Sequence, residues 1–456
     1  MKDRFDSLSP LDSRYWDEDV ARHLSENGFT RAKLAVEMAL VNVLHRRGLC
    51  DADVVREIEA ACGQVTTEEV YAEEDKTKHD IRALVNCIQR RVSDRAKPYV
   101  HMTATSYDIV DTANALRYRA VVTEVVAPLL LKLEKTLIDL TLREAETVQI
   151  GRTHGQHAVP ITFGFAMAGY VSRLGNSIEN LRARTRDLVG KFSGAVGAYN
   201  ASSLFFEDPD GFEGEVLDVL GLFAAEHSTQ IVPPEPMARL LSEMTVACGV
   251  MADLADDMRH LQRTEIGEVG EAFGADQVGS STMPQKRNPI NFENAKSMWK
   301  IVASRASLAF MDQLSEHQRD LTNSASARSY GEVFAYAAAI AKRLERTLKK
   351  LEVAPENLER NLRMQGELIT AEPLYLLLAA AGHPDAHEKV RRLTQAARAS
   401  GRMFSSEIGL DKETRGYIDR MSPHQREMLW HPEKYVGIAA KKAREVAKTW
   451  KERLEL

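Results

Sequence analysis

Cysteine is scarce, with four in 456 residues: Cys50, Cys62, Cys87 and Cys248. None forms a C-x-x-C pair or has a histidine at metal-finger spacing, which excludes a disulfide-stapled scaffold and a zinc ribbon and leaves buried free thiols in a reducing compartment. No window approaches the roughly 18 apolar residues that a membrane helix needs, and the opening "MKDRFDSLSPLDSRYW" has no apolar signal core. A cytoplasmic location is expected. Charge is not one-sided: 60 lysines and arginines against 66 acids give a formal net charge of -6. That balance argues against general attraction to nucleic acid or membrane, yet allows a local cationic pocket for an anion. Alternating strand patterns bounded by turn dipeptides are also missing, and short β-branched runs such as "IVPP" read as connectors.

Helical periodicity fills most of the chain. From Arg31 to Arg47, Leu34, Met38, Val41 and Leu44 recur at three- or four-residue spacing before "HRRG" ends the segment. The same period runs from Asp108 to about Thr147, with Pro128 as an expected kink. It returns over Thr162–Leu188, Met237–Ile266, Pro289–Phe310 and Arg328–Leu351. The expected fold is all-α, with three domains and a central bundle of five long helices. "DRAKPYVHMTATS" and "VAPENLERNL" interrupt the pattern and place the domains at 1–103, 104–354 and 355–456. Such broad apolar faces often bury against other subunits.

Three polar runs sit at helix ends: "TATSYDIVDTANA" from Thr103, "GRTHGQHAVPITFG" from Gly151 and "GSSTMPQKRNPI" from Gly279. Ser106 and Asn288 in these runs are equally suited to cap helices. Capping leaves unexplained the joint appearance of His154, Ser280 and Lys286. An eliminating enzyme must remove a proton from carbon, hold the charge that develops on a neighbouring carboxylate and protonate the departing atom.

The three runs resemble the signatures of the fumarase/aspartase superfamily, whose hallmark is "GSSxMPxKxNP". Within it, "SPLDSRY", "KHD", "SGAVGAYNA", "STQ" and "QRDLTNSASAR" look most like the adenylosuccinate lyase subfamily. The resemblance implies a fumarate-releasing C–N lyase of purine biosynthesis without metal or organic cofactor. It also implies a homotetramer with active sites shared between three subunits and a small-molecule nucleotide substrate. Ser280 is the implied general base, with Ser281 as runner-up, and His154 the implied general acid. Glycines Gly274 and Gly279 suit closure of the loop that carries the base. Glu293 is the implied partner of the acid and is expected to raise its pKa. Lys286, Asn288 and Thr153 are implied carboxylate contacts; His79, implied among the catalytic residues, and His101 match positions near the succinyl group and the purine-ribose portion, with Lys78, Asp80, Thr105 and Ser106 as contacts beside them and Gln230 also on the substrate.

Arg14 and Tyr15, with Arg319, Ser324 and Arg328, match the subfamily's phosphate contacts, a role for which planar guanidinium groups are suited. Fumarase, aspartase and argininosuccinate lyase act on substrates without phosphate, so this cluster discriminates among them. Two features depart from the subfamily pattern. Gln285 stands where argininosuccinate lyases often have glutamine, and "IVPPEP" after Gln230 replaces the commoner histidine-containing continuation. Carboxymuconate cycloisomerases share "MPxKRNP", and the fold also occurs as a non-catalytic lens protein. Those readings remain as alternatives.

Overall fold

The structure, a computed structural model, describes residues 6–274 and 278–456. The chain divides into two compact units. One takes the chain through residue 131 together with 176–252 and 295–343, and the other takes 132–175, 253–294 and 344–456.

Helices dominate, as the periodicity implies. Helix α1 (Glu26–Arg46) starts where the Ser25 hydroxyl accepts the Gly28 N–H at 3.2 Å. Helix α2 is Asp80–Gln89, and α3 is Ser106–Val121. Thr105 caps α3 in a reciprocal box with Asp108, so Ser106 is the first helical residue and not the cap. The chain runs from α3 through one π-helical turn, Val122–Val126, into α4 (Ala127–Arg143). Pro128 lacks an N–H and crowds the carbonyl four residues back; the ladder adapts by widening, with the Ala127 N–H on the Val122 carbonyl. The expected disturbance at Pro128 therefore takes the form of a π-turn. Helix α4 stops at Arg143, short of the expected Thr147.

Beyond it comes a feature the sequence reading missed. Strands β1 (Val148–Thr153) and β2 (Gln156–Thr162) pair as an antiparallel hairpin. His154 and Gly155 form its two-residue tip with φ of 54° and 71°, the positive pair that matches the twist of hairpin strands. A register shift between Ile150 and Arg152 breaks the side-chain alternation. Two more pairs, of two residues per strand, are too short to leave any periodic signal: β3 (Val189–Gly190) with β4 (Phe223–Ala224), and β5 (Val269–Gly270) with β6 (Glu352–Val353).

Four further long helices follow the hairpin: α5 (Phe163–Arg186), α6 (Glu235–Leu261), α7 (Ile290–Met311) and α8 (Tyr330–Leu348). Within the first unit, Tyr118 of α3 stacks on Phe334 of α8 at 5.3 Å, and Arg305 of α7 pairs with Glu332 of α8 at 2.9 Å. Within the second, Arg173 of α5 pairs with Asp253 of α6 at 2.6 Å. Helix α9 (Pro355–Arg363) begins with proline at its first turn, and the last helix, α10 (Ala439–Arg453), lays Trp450 over Gly175. A Cβ at Gly175 would lie 2.3 Å from that ring, so only glycine admits the contact. Leu374, Leu378, Leu393, Phe404, Ile418 and Leu429 close a separate cluster among the C-terminal helices. No helix among the described residues is long and apolar enough to cross a membrane. All four cysteines are free; three are buried and Cys50 is half-buried.

Candidate active site

In the second unit, the run Gly279–Asn288 is a loop tied at its neck. The Asn288 amide donates to the Gly279 carbonyl at 2.7 Å, so Asn288 is a staple here and not the cap of α7. A Cβ at Gly279 would lie 1.8 Å from the Lys286 carbonyl oxygen. The glycine is thus required by close backbone approach. Inside the loop, Ser280 Oγ accepts two backbone N–H groups, from Met283 at 3.1 Å and Thr282 at 3.3 Å. Ser281, Gln285 and Lys286 are exposed. The cap of α7 is supplied from elsewhere: Glu271 Oε1 accepts the Asn291 and Phe292 N–H groups at 2.9 and 3.0 Å.

His154 occupies the hairpin tip in the same unit, exposed beside exposed Thr153. Strand β1 is fixed two residues earlier, where Arg152 grips Glu268 with two nitrogens, at 2.5 and 3.1 Å. Glu268 is fully buried and also accepts from Gln149 and Asn361, at 2.8 Å each. Glu293 lies in the first turn of α7, exposed, and makes no ion pair with His154 among the described residues.

The first unit holds the other candidates. Lys78 ends one helix in the left-handed conformation (φ 55°), and His79 starts the next as its N-cap. His79 Nδ1 accepts the Arg82 N–H at 3.3 Å, which leaves the ring proton on Nε2. Asp80 is half-buried in the first turn, 3.5 Å from His79 Nδ1. His101, also left-handed (φ 62°), meets the buried Glu37 twice: its Nδ1–H donates to Oε1 at 2.7 Å and its backbone N–H to Oε2 at 3.1 Å. Burial disfavours the His101 imidazolium, but the Glu37 charge and hydrogen bond outweigh it and hold the pKa above its ordinary value. Thr105 and Ser106 are half-buried at the start of α3. Lys78, His101 and His154 are three of the seven non-glycine residues with positive φ among those described, a cost that is usually tolerated at functional sites.

Arg319 lies 3.5 Å over the Tyr107 ring and donates to Gln230 at 2.9 Å. Its buried Nε has no hydrogen-bond partner among the described residues. Arg328 donates to the Ser324 carbonyl at 2.9 Å and is exposed, as is Ser324. Arg14 is exposed on the turn after Pro10–Asp12, and Tyr15 meets Tyr336 edge-on at 5.7 Å. The structure therefore brings Arg319 and Gln230 together, and Arg328 with Ser324.

A family model described as Lyase matches residues 3–304, and one described as Adenylosuccinate lyase C-terminal matches 315–425. Adenylosuccinate lyase of Pyrococcus abyssi is 37% identical over 446 residues, 96% of this chain and 96% of that protein. This chain belongs to the adenylosuccinate lyase family. The Pyrococcus horikoshii adenylosuccinate lyase is likewise 37% identical, over 97% of both chains. In fold, the chain is similar to the 3-carboxy-cis,cis-muconate lactonizing enzyme of Pseudomonas putida. The TM-score is 0.87 at 24% identity, covering 98% of this chain and 100% of that one.

Around these residues lies buried polar support that sequence reasoning missed. The Lys191 ammonium, fully buried, donates to Asp108 and to the Gly194 carbonyl, holding the "SGAVG" turn against α3. Ser193 and Ser228 share a buried hydrogen bond of 2.6 Å, joining the "SGAVGAYNA" and "STQ" segments of the adenylosuccinate lyase resemblance. Asp111 accepts the Val232 N–H at 2.9 Å and so fixes the segment after Gln230; burial pushes its carboxyl up to about 7. Glu37 had a readable signal, since it falls on the apolar face of α1 three residues after Leu34 and four before Val41.

Proposed function

We propose that the protein releases fumarate from adenylosuccinate, giving AMP, and from the succinylocarboxamide ribotide of purine synthesis. Ser280 takes the proton from the succinyl carbon, and the bond from carbon to nitrogen breaks as the carbon–carbon double bond forms. His154 gives its proton to the departing nitrogen. The observation that carries this reading is the pair of N–H groups on Ser280 Oγ. A serine hydroxyl is far too weak a base at neutral pH, and two aligned amides are what an alkoxide at that oxygen needs. Lys286, Asn288 and Thr153 take the succinyl carboxylates, where a cation favours the doubly charged carbanion-like state. Lys78, His79, Asp80, His101, Thr105, Ser106 and Gln230 line the rest of the substrate.

Arg14, Tyr15, Arg319, Ser324 and Arg328 take the phosphate, and the unpartnered Arg319 Nε supports that role. The hydrogen bond that Gln230 accepts from Arg319 supports a role for Gln230 near that end of the substrate despite the unusual "IVPPEP" continuation. The working form is a cytoplasmic homotetramer with sites drawn from three chains. Exposed apolar side chains on the long helices support it: Leu142, Phe165, Val246, Phe310 and Met311. In that assembly Glu293 serves the acid histidine.

The test compares Ser280→Ala with Ser281→Ala. Ser280→Ala is expected to bind adenylosuccinate as wild type does and to lose turnover by about 10²–10⁴-fold, the usual worth of a general base, while Ser281→Ala stays active. The opposite pattern moves the base by one residue.

A further inference from the structure

We propose that Asp111 is a positioning residue for the phosphate end of the substrate: through the Val232 N–H it fixes Gln230, and through Gln230 it orients Arg319. The proposal rests on the reading of Arg319 as a phosphate contact, and every group in it belongs to the first unit of a single chain.

Gln230 stands at the apex of a tight turn. The Thr229 N–H donates to the Ile231 carbonyl at 3.1 Å, and the Ile231 N–H donates to Thr229 Oγ1 at 3.3 Å. At its entry the turn is held by the buried hydrogen bond between Ser228 and Ser193. Its exit has less to hold it. Pro233 and Pro234 carry no N–H, and α6 begins at Glu235. With the Ile231 N–H used inside the turn, Val232 supplies the one backbone N–H of residues 231–234 that is left to tie the exit to the rest of the fold. Asp111 accepts it at 2.9 Å. The unusual "IVPPEP" continuation therefore rests this backbone tether on a single carboxylate.

The helix that carries Asp111 also supports Arg319. Tyr107 lies one turn earlier on the same side of α3, and the Arg319 guanidinium sits 3.5 Å over its ring. Arg319 donates in turn to Gln230 at 2.9 Å. The contacts close a ring that begins and ends on α3: Tyr107, Arg319, Gln230, Val232, Asp111. Within it the guanidinium is aimed by two contacts, one on its face and one on its edge. Cutting the Asp111 tether frees Gln230, removes the fixed acceptor at that edge and lets the guanidinium turn over the Tyr107 ring. A planar fork that must meet phosphate in a set orientation then binds it less tightly. A role in stability alone predicts less folded protein, with unchanged binding per folded site.

Asp111→Ala, Asp111→Ser, Asp111→Asn and Arg319→Ala enzymes are compared with wild type for fumarate release from adenylosuccinate. Binding of adenylosuccinate is measured for each on a Ser280→Ala background, and both quantities are referred to the folded fraction given by circular dichroism. Asp111→Ala is expected to weaken binding by about five- to twentyfold and to change kcat by no more than about threefold, because the tether acts on binding and not on the reacting bond. Asp111→Asn keeps an oxygen that can accept the Val232 N–H and should bind within about threefold of wild type. Asp111→Ser places its hydroxyl one atom short, so it decides the matter if Asp111→Ala does not fold. Added to Arg319→Ala, Asp111→Ala should weaken binding by no more than about threefold further, since the group it aims is gone. Wild-type binding in folded Asp111→Ala or Asp111→Ser, an Asp111→Asn protein as weak as Asp111→Ala, or full additivity with Arg319→Ala overturns the proposal. Wild-type binding in Arg319→Ala would overturn the phosphate reading itself, a result distinct from normal Asp111 variants beside a weakened Arg319→Ala.

Discussion

At the scale of single residues, the candidate chemistry-bearing side chains stand out in the sequence, and most of the buried groups around them do not. Ser280, His154 and Lys286 stand in polar breaks where helix periodicity stops, so they draw attention in sequence. Glu268 does not, because its partners Gln149, Arg152 and Asn361 lie 119, 116 and 93 residues away in the chain. Lys191 and Asp108 are hidden for the same reason, 83 residues apart. Arg319 affords a prediction at this scale. Its guanidinium is preset by Tyr107 and Gln230, so Arg319→Ala should weaken adenylosuccinate binding by about ten- to a hundredfold, the worth of one charge-assisted pair, with a smaller effect on the bound reaction. Arg328→Ala should act in the same direction. Binding measured on a Ser280→Ala background checks both. Equal loss against an analogue lacking the phosphate would make these arginines structural.

Among elements, the long helices could be read because their apolar residues repeat over many turns, and the bounds of α5 to α8 lie within a few residues of expectation except at the end of α6. The hairpin could not, because its turn is His-Gly rather than the usual Asn-Gly and the shift near Gly151 breaks the alternation. The Pro128 signal was legible as a disturbance, but not as the π-turn it becomes. Helix α4 carries a charge its period does not advertise. Glu134 is fully buried, neither carboxylate oxygen has a partner among the described residues, and burial pushes its pKa up to about 9. The folded state thus retains a proton that the unfolded chain releases above its ordinary value near 4.5. Stability should therefore be greatest below that value, fall as pH rises through the interval, and level off above about 9. Glu134→Gln should flatten that decline. Denaturant unfolding of both proteins at pH 5, 7 and 9 checks this; parallel curves would show that Glu134 is charged in the fold.

For the whole molecule, family membership and the proposed phosphate cluster point to one substrate class, and the proposed tetramer is open to a direct test. Light scattering should give about four times the mass of one chain. Mixing inactive Ser280→Ala with inactive His154→Ala should restore part of the activity, because subunit exchange reunites an intact pair; an active monomer would contradict shared sites. Substrate identity is tested most directly by incubating the purified wild-type protein with adenylosuccinate and, separately, with argininosuccinate, and following fumarate. Release from adenylosuccinate alone is the predicted result, and turnover of argininosuccinate alone would contradict it.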